Sequence, residues 1–355
     1  MKPRVLIVGR SRYRLPLEPN LRRKFDALQE ELDVRVLASG TGRDETFRLV
    51  PPRQPLDGAR FWAELPFRIR REVRDFRPDA VLVQSPYEAL AAQLAGARPV
   101  ILEVHGDWTT ATRLYGSAAR HALAPVVDRL ALGAVRRADA VRTISSYTTE
   151  LVRQAGAEPT ATFPAFMDLE PFLGPVAPLP EQPAPLFVGV LERYKDVDVL
   201  AAGWRLAAPR LPGVTLRIVG NGSRARVVES LPQSEWTPRV PNDEIPSMLD
   251  AATVLVLPSR SEGLGRIVVE ALCRGRPVVA TRVGGITDLV RDGENGLLVP
   301  PRDRAALADA LVRVLTDRFL AERLAAAARP SVEPWIATPE EYARRTRKLV
   351  EQVIR

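Results

Sequence analysis

Residues 258–300 read PSRSEGLGRIVVEALCRGRPVVATRVGGITDLVRDGENGLLVP. Two glutamates, Glu262 and Glu270, stand eight residues apart in it, around a loop broken by Gly263 and Gly265. The apolar run 254–257 just before it reads as a buried strand, 266–272 as a helix, and 277–281 and 296–299 as further buried strands. Strand, loop, helix, strand is the alternation of an α/β domain. The glycines let backbone approach a ligand closely, and the helix N-terminus offers free N–H groups to an anion such as a diphosphate. A carboxylate one turn into the helix suits vicinal hydroxyls such as those of a ribose, and one in the loop reaches further out. Either glutamate alone would read as a solvated or first-turn acid. Glu270, however, lies among Ile267, Val268, Val269, Ala271 and Leu272, where an unpaired charge is costly.

Working outward, 355 residues are long for one hydrophobic core, and two domains are expected. A composition of 46% hydrophobic and 26% charged residues is that of a globular chain. The net charge of +8 is almost all arginine, and Lys2, Lys24, Lys195 and Lys348 are the only lysines. The basic residues are dispersed and no nucleic-acid motif accompanies them, so a nucleic-acid partner is not expected. Cys273 is the single cysteine, which excludes an intrachain disulfide and fits a reducing compartment. The apolar run near Met1 is too short for a signal peptide or a membrane span. A cytoplasmic protein is expected.

The N-terminal half opens with a strand at 4–9, a polar loop at 10–20, a helix through Leu21, Phe25, Leu28 and Leu32, and a strand at 34–38. Further buried strands are expected at 80–83, 100–104 and 140–144. Ligands in such sheets sit beyond the carboxyl ends of the strands, which marks the segments after Gly9, Val104 and Ile144. Glu103-Val104-His105-Gly106-Asp107 places His105 at such an end, whereas His121 has no special context. Between 59 and 76, Phe61, Leu65, Ile69, Val73 and Phe76 recur at helical spacing beside Arg68, Arg70, Arg71 and Arg74. A basic amphipathic helix can lie on an anionic membrane, but a stripe facing its own sheet is the favoured reading, and Pro66 weakens the membrane one. Residues 171–185, PFLGPVAPLPEQPAP, hold six prolines and no periodicity, so a stiff extended connector is expected there. A second α/β series follows, with strands at 186–190, 215–219, 254–257, 277–281 and 296–299.

Two patterns compete with the 258–300 stretch. Asp196-Val197-Asp198 is a D-x-D tripeptide of the metal–nucleotide type, yet it opens a helix, where Asp198 serves better as a cap or first-turn acid. Gly220-Asn221-Gly222-Ser223-Arg224-Ala225 fits G-x-G-x-x-A, with Asp243 about twenty residues on, but no hydride-transfer apparatus accompanies it.

SEGLGRIVVEA, followed by GRPVVATRVGG and DLVRDGENGLLV, resembles the E-x7-E signature of the retaining GT-B glycosyltransferases of family 4. VGVLERYKDVDVL at 188–200 is similar to that family's phosphate-clamp segment, in which a Gly, an Arg and a Lys precede a helix. Gly189 and Lys195 align; Val190 stands where the Arg is usual, leaving Arg193 as its substitute, and Leu264 where Phe is common. FPAFMDLEPF at 163–172 keeps only Asp168 and Phe172 of the family's pattern.

The resemblance implies a fold class of α/β, GT-B, with two Rossmann-like doubly wound domains facing each other across a cleft. The expected division is an acceptor domain at 1–172, a linker at 173–185, a donor domain at 186–335, and a last helix at 336–355 crossing back to the first domain. It implies transfer of a sugar from a nucleoside diphosphate sugar, metal-independent and with retention. Glu262, His105 and Lys195 are the implied catalytic residues. Gly189, Arg193, Lys195, Val240, Gly263, Leu264, Gly265 and Glu270 are the implied donor-binding residues, with Glu270 on the ribose, Glu262 near the reacting carbon and His105 on the sugar. No metal and no separate cofactor are expected. The loop 239–244 would meet the base, which the sequence does not specify. Arg12, Tyr13 and Arg14 suit a polar or anionic acceptor, and a cell-envelope glycolipid with peripheral contact at the inner membrane face stays open through the 59–76 helix. Other classes stay open too: an epimerase or phosphorylase on the same fold, or a silent nucleotide-binding subunit.

Overall fold

A computed structural model describes residues 1–42, 44–52, 57–109 and 118–354, without the side chains of 57–59 and 118–124. It divides into two compact units, residues 1–168 with 337–355, and residues 169–336.

The first unit is built on a parallel sheet of seven strands: β1 (Arg4–Arg14), β2 (Asp33–Thr41), β3 (Phe47–Val50), β4 (Ala80–Val83), β5 (Val100–Val104), β6 (Ala140–Thr143) and β7 (Ala161–Thr162). Their order is β3-β2-β1-β4-β5-β6-β7, so the winding reverses between β1 and β4. The crossovers carry α1 (Pro19–Glu31), α2 (Asp57–Phe76), α3 (Pro86–Leu94), α4 (Ala118–Arg136) and α5 (Ser146–Gln154). Strands β4 and β5 are buried along their whole length, as strands covered on both faces must be. The apolar stripe of α2, with Phe61, Leu65, Ile69 and Phe76 all under 5% exposed, packs into the core on one face of this sheet. Phe67, off the stripe, is 75% exposed.

The polar segment 10–14 is not a loop. Strand β1 continues through it beside β2, with a register shift between Val8 and Arg12. Tyr13 is the cause: its ring is buried edge-on against Phe25 and Phe47, with centroids 5.8 and 5.5 Å away, which holds the chain extended.

The second unit has six parallel strands: β8 (Pro185–Val188), β9 (Leu216–Val219), β10 (Ser234–Thr237), β11 (Val254–Leu257), β12 (Val278–Thr281) and β13 (Gly296–Val299). Their order is β10-β9-β8-β11-β12-β13, and here the winding reverses between β8 and β11. Its helices are α6 (Val197–Ala207), α7 (Ile245–Asp250), α8 (Arg266–Cys273), α9 (Ile286–Leu289), α10 (Arg304–Thr316) and α11 (Arg318–Val332). The last helix, α12 (Pro339–Val353), returns to the first unit and buries Tyr342, Ala343, Leu349 and Val350 in the core on the other sheet face, beside α1.

The proline-rich segment starts in a 3-10 turn at Glu170–Phe172, forms neither helix nor strand from 173 to 184, and is fastened to the second unit. Six prolines remove six N–H donors, so its carbonyls have no ladder to join. Arginines take that role: Arg276 reaches the carbonyls of Ala177 (2.5 Å) and Pro178 (3.2 Å), and Arg318 those of Pro180 (2.6 Å) and Leu179 (3.2 Å). Arg329 holds that of Leu173 (3.3 Å) while also donating to the carbonyl of Cys273, at the end of α8 (2.6 Å).

Candidate functional site

In an open parallel sheet, ligands collect where the winding reverses, at the carboxyl ends of the two strands involved. In the second unit those ends are the loops after β8 and β11. The first carries Gly189 and a 3-10 turn over Arg193–Lys195; the second carries Ser259 to Gly265. They meet through an ion pair. Lys195 Nζ donates to Glu262 Oε1 at 2.6 Å, and Ser259 Oγ donates to the same oxygen at 2.7 Å. Both charged side chains are about nine-tenths buried. A second tie runs from the Arg260 N–H to the Tyr194 carbonyl at 2.7 Å.

The Gly-Gly pair after β12 supports the loop from behind. Gly285 N–H donates to the Glu262 carbonyl at 3.0 Å. A Cβ on Gly284, whose φ is +52°, would fall on that same carbonyl oxygen, so only glycine permits the approach. Helix α8 then starts from Gly265 in the left-handed region, which has no side chain to cap the first N–H groups. Its first backbone bond back to Gly265 comes from Val268, at 2.9 Å. One turn on, the Glu270 carboxylate is buried and accepts from Arg266 Nε at 2.6 Å. Burial pushes that carboxyl above its ordinary range, and Arg266 only partly offsets the rise.

The two competing patterns are structural here. Asp196 is fully buried in the left-handed region and held by Arg260 Nη2 at 2.6 Å; Asp198 pairs with Arg224. Asp198 is the first-turn acid of α6, as expected, and Asp196 is its N-cap residue. The G-x-G-x-x-A loop packs on the loop after β8: Leu191 N–H donates to the Asn221 carbonyl at 2.9 Å, and Ser223 donates through N–H (2.8 Å) and Oγ (2.6 Å) to the Glu192 carboxylate. Its glycines serve that contact, because a Cβ on Gly220 would coincide with the Gly189 carbonyl.

Among the sequence-marked residues, Gly189, Lys195, Glu262, Gly263, Leu264, Gly265 and Glu270 all lie on these two loops and on α8. Val190 is 46% exposed. Arg193 is exposed and makes no ion pair or side-chain hydrogen bond among the described residues. Val240 follows edge strand β10, two strands from β8.

In the first unit, His105 directly follows β5 and its Nε2 lies 3.3 Å from Glu103 Oε2. Glu103 pairs across the sheet with Arg142 of β6, its register partner, and both are buried. Arg142 also donates to the carbonyls of Phe163 (3.2 Å) and Pro164 (2.8 Å). Burial pushes the Glu103 carboxyl up, but Arg142, His105 and Lys24 together outweigh it and hold it at about 2. Sequence reasoning missed this pair, although one charged residue in each of two apolar strands was a visible signal. It also missed Glu88, the buried third helical residue of α3, which accepts from Ser85 Oγ and from the Arg10 backbone. Burial pushes its carboxyl up to about 8.

A groove of about 680 Å³ opens elsewhere on the first unit, between α2 and β2–β3. Of its arginines, Arg35, Arg68 and Arg71 are already paired with Glu72, Glu64 and Asp75, Arg48 donates to the Asp44 carbonyl, and neither the Lys195–Glu262 pair nor His105 lines it. The chemistry is better placed at the strand ends.

Two doubly wound parallel α/β units, the second with a Lys–Glu pair at its switch point, define the GT-B class of nucleotide-dependent transferase folds. The chain belongs to the family 4 glycosyltransferases: residues 20–171 match the family described as Glycosyltransferase Family 4, and residues 182–317 that described as Glycosyl transferases group 1. It is 40% identical over 156 residues to a D-inositol 3-phosphate glycosyltransferase of Acidothermus cellulolyticus, covering 39% of this chain and 34% of that protein. It is 38% identical over 152 residues to a glycogen synthase of Mycobacterium tuberculosis, covering 41% and 36%. The chain thus spans little more than a third of the length of the curated relatives it matches. Among solved structures it is similar to a sucrose-phosphate synthase from Thermosynechococcus elongatus, with a TM-score of 0.78 at 20% identity over 99% of each chain. It is also similar to Anabaena HepE in complex with UDP and glucose, with a TM-score of 0.71 at 18% identity over 97% of this chain and 98% of that one. Among the described residues, no helix is long and apolar enough to cross a membrane.

Proposed function

We propose that this chain is a retaining glycosyltransferase that moves a sugar from a nucleoside diphosphate sugar to a polar acceptor, without a metal ion, in the cytosol. The Lys195–Glu262 pair at the β8/β11 switch point carries the reading. A leaving diphosphate needs fixed positive charge, and Lys195 with the uncapped N-terminus of α8 supplies it. Glu270 takes the ribose hydroxyls. Glu262, fixed through one oxygen by Lys195 and Ser259, offers the other to a donor hydroxyl. His105, oriented by Glu103, is the residue of the first unit proposed to touch the sugar.

In the proposed step, the bond from the anomeric carbon to the diphosphate oxygen breaks and its electron pair leaves with the phosphate. The acceptor oxygen bonds the same face, and its proton passes to the departing phosphate oxygen. No Asp or Glu needs to act as a covalent nucleophile. Neither an epimerase nor a phosphorylase is among the relatives and structures named above.

The test is purified protein with a panel of UDP-, GDP- and dTDP-sugars, scored for binding, hydrolysis and transfer. Glu262→Ala is expected to abolish transfer with a smaller loss of nucleotide binding, and Glu270→Ala to weaken nucleotide binding itself. A chain that neither binds nor turns over any donor would sink the proposal, and the opposite mutant pattern would overturn the assigned roles.

A further inference from the structure

The Arg266–Glu270 pair is built the wrong way round for helix stability. Acid before base at i,i+4 is the favourable order, and a cation in the first turn opposes the helix dipole. Here the arginine comes first, at the first residue of α8, and the acid follows one turn in. Yet the contact is close, at 2.6 Å, and it is the only side-chain hydrogen bond either residue makes among the described residues. Arg266 uses only Nε for it, and its side chain is 53% exposed, so the two terminal nitrogens are uncommitted. Its reach spans from the open helix end to the carboxylate about 6 Å along the axis. A nucleoside diphosphate would put its first phosphate at the helix end and its ribose at Glu270. The residue between them is Arg266. Val190, meanwhile, supplies no cation from the loop after β8.

We propose that Arg266 is a donor-binding residue that holds Glu270 through Nε and gives its terminal N–H groups to the first phosphate of the nucleotide. It thereby supplies the cation that is absent at position 190. The inference rests on the reading that Glu270 grips the ribose. A first-turn arginine that is unfavourable for the helix is favourable once an anion sits at its N-terminus.

The experiment measures affinity for whichever of ADP, GDP and UDP binds best, for its nucleoside, and for its 2′-deoxy diphosphate, in the wild type and in Arg266→Gln, Arg266→Lys and Glu270→Gln. Arg266→Gln is expected to weaken the diphosphate about tenfold, the nucleoside less, and to narrow the preference for ribose over 2′-deoxyribose. Arg266→Lys should recover part of the phosphate affinity. An unchanged thermal midpoint would confirm that a half-exposed side chain was removed without unfolding. Unchanged or tighter diphosphate binding in Arg266→Gln overturns the inference, the latter because Arg266 would then be a placeholder that ligand must displace. If Glu270→Gln keeps the ribose preference, the ribose reading itself fails. If Glu270→Gln loses it and Arg266→Gln does not, only the role of Arg266 fails.

Discussion

Replacing Glu103 with glutamine tests whether the buried pair with Arg142 organises the first unit and, through it, His105. In the folded chain the Glu103 carboxyl sits at about 2, against an ordinary value of 4.5. That difference corresponds to about 3 kcal/mol of stability at pH 7. An independent figure agrees, since removing one partner of a buried ion pair costs about 3–5 kcal/mol by leaving the other charge uncompensated. The sign follows from the depressed value. The contribution is fully present above pH 4.5 and is lost as pH falls toward 2, so part of it is already gone at pH 3.5. Urea unfolding at pH 7 and 3.5, with hydrogen exchange on peptides from β5 and β6, should therefore show a large gap between wild type and Glu103→Gln that narrows on acidification. Glu103→Leu combined with Arg142→Met should regain most of the loss, because an apolar pair removes both desolvated charges. Transfer activity should stay low in that double variant, since His105 would have lost the carboxylate 3.3 Å from its Nε2. Equal urea midpoints at pH 7, or a gap that does not change with pH, would refute the reasoning.

Further outcomes follow from other contacts. Lys195→Ala should lower turnover of the preferred donor by about 10²–10³ and weaken nucleotide binding, because it removes the charge facing the leaving diphosphate; steady-state kinetics showing a loss under threefold would contradict that role. Glu88, with its carboxyl pushed up to about 8, is protonated in the folded chain where the unfolded chain is ionised; its contribution is present below pH 4.5 and lost as pH rises through 8. Glu88→Gln should accordingly lose less stability than the wild type between pH 5 and 9 in thermal melts, and parallel curves would dismiss the idea. Gly284→Ala should destabilise by more than about 1 kcal/mol and depress donor binding, since its Cβ would meet the Glu262 carbonyl at a φ of +52°; normal donor affinity in that variant would show that the loop can shift freely.

What the sequence made legible was the chemistry that constrains backbone as well as side chain. Gly265 is glycine because its φ of +92° opens α8 in the left-handed region, and Glu262 and Glu270 fall on either side of it, in the loop and one turn into the helix. Lys195 was conspicuous because lysine is rare in this chain. The strands that went unseen are short edge pieces: β3, Phe-Arg-Leu-Val, and β10, Ser-Glu-Trp-Thr, are four residues each, and β7 is two residues long. None carries a long apolar run, and each is extended because one neighbouring strand offers it hydrogen bonds.

Segment 10–14 was misread for a related reason. Its extension depends on Tyr13 meeting Phe25 and Phe47, rings far apart in sequence. The Glu103–Arg142 pair is hidden in the same way, for it is a matter of register between strands 39 residues apart. The fastening of the proline segment is hidden too, because carbonyls denied a ladder give no sign of which arginines will reach them. Val190 shows why such non-local facts matter for function. Read along the chain, it is a missing cation whose nearest substitute is Arg193, two residues beyond Leu191. Placed in the fold, the arginine that holds the buried Glu270 and keeps its terminal nitrogens uncommitted is Arg266, on a different loop–helix unit, and in the proposed site it is the convergence of β8 and β11 that lets the two positions serve one phosphate.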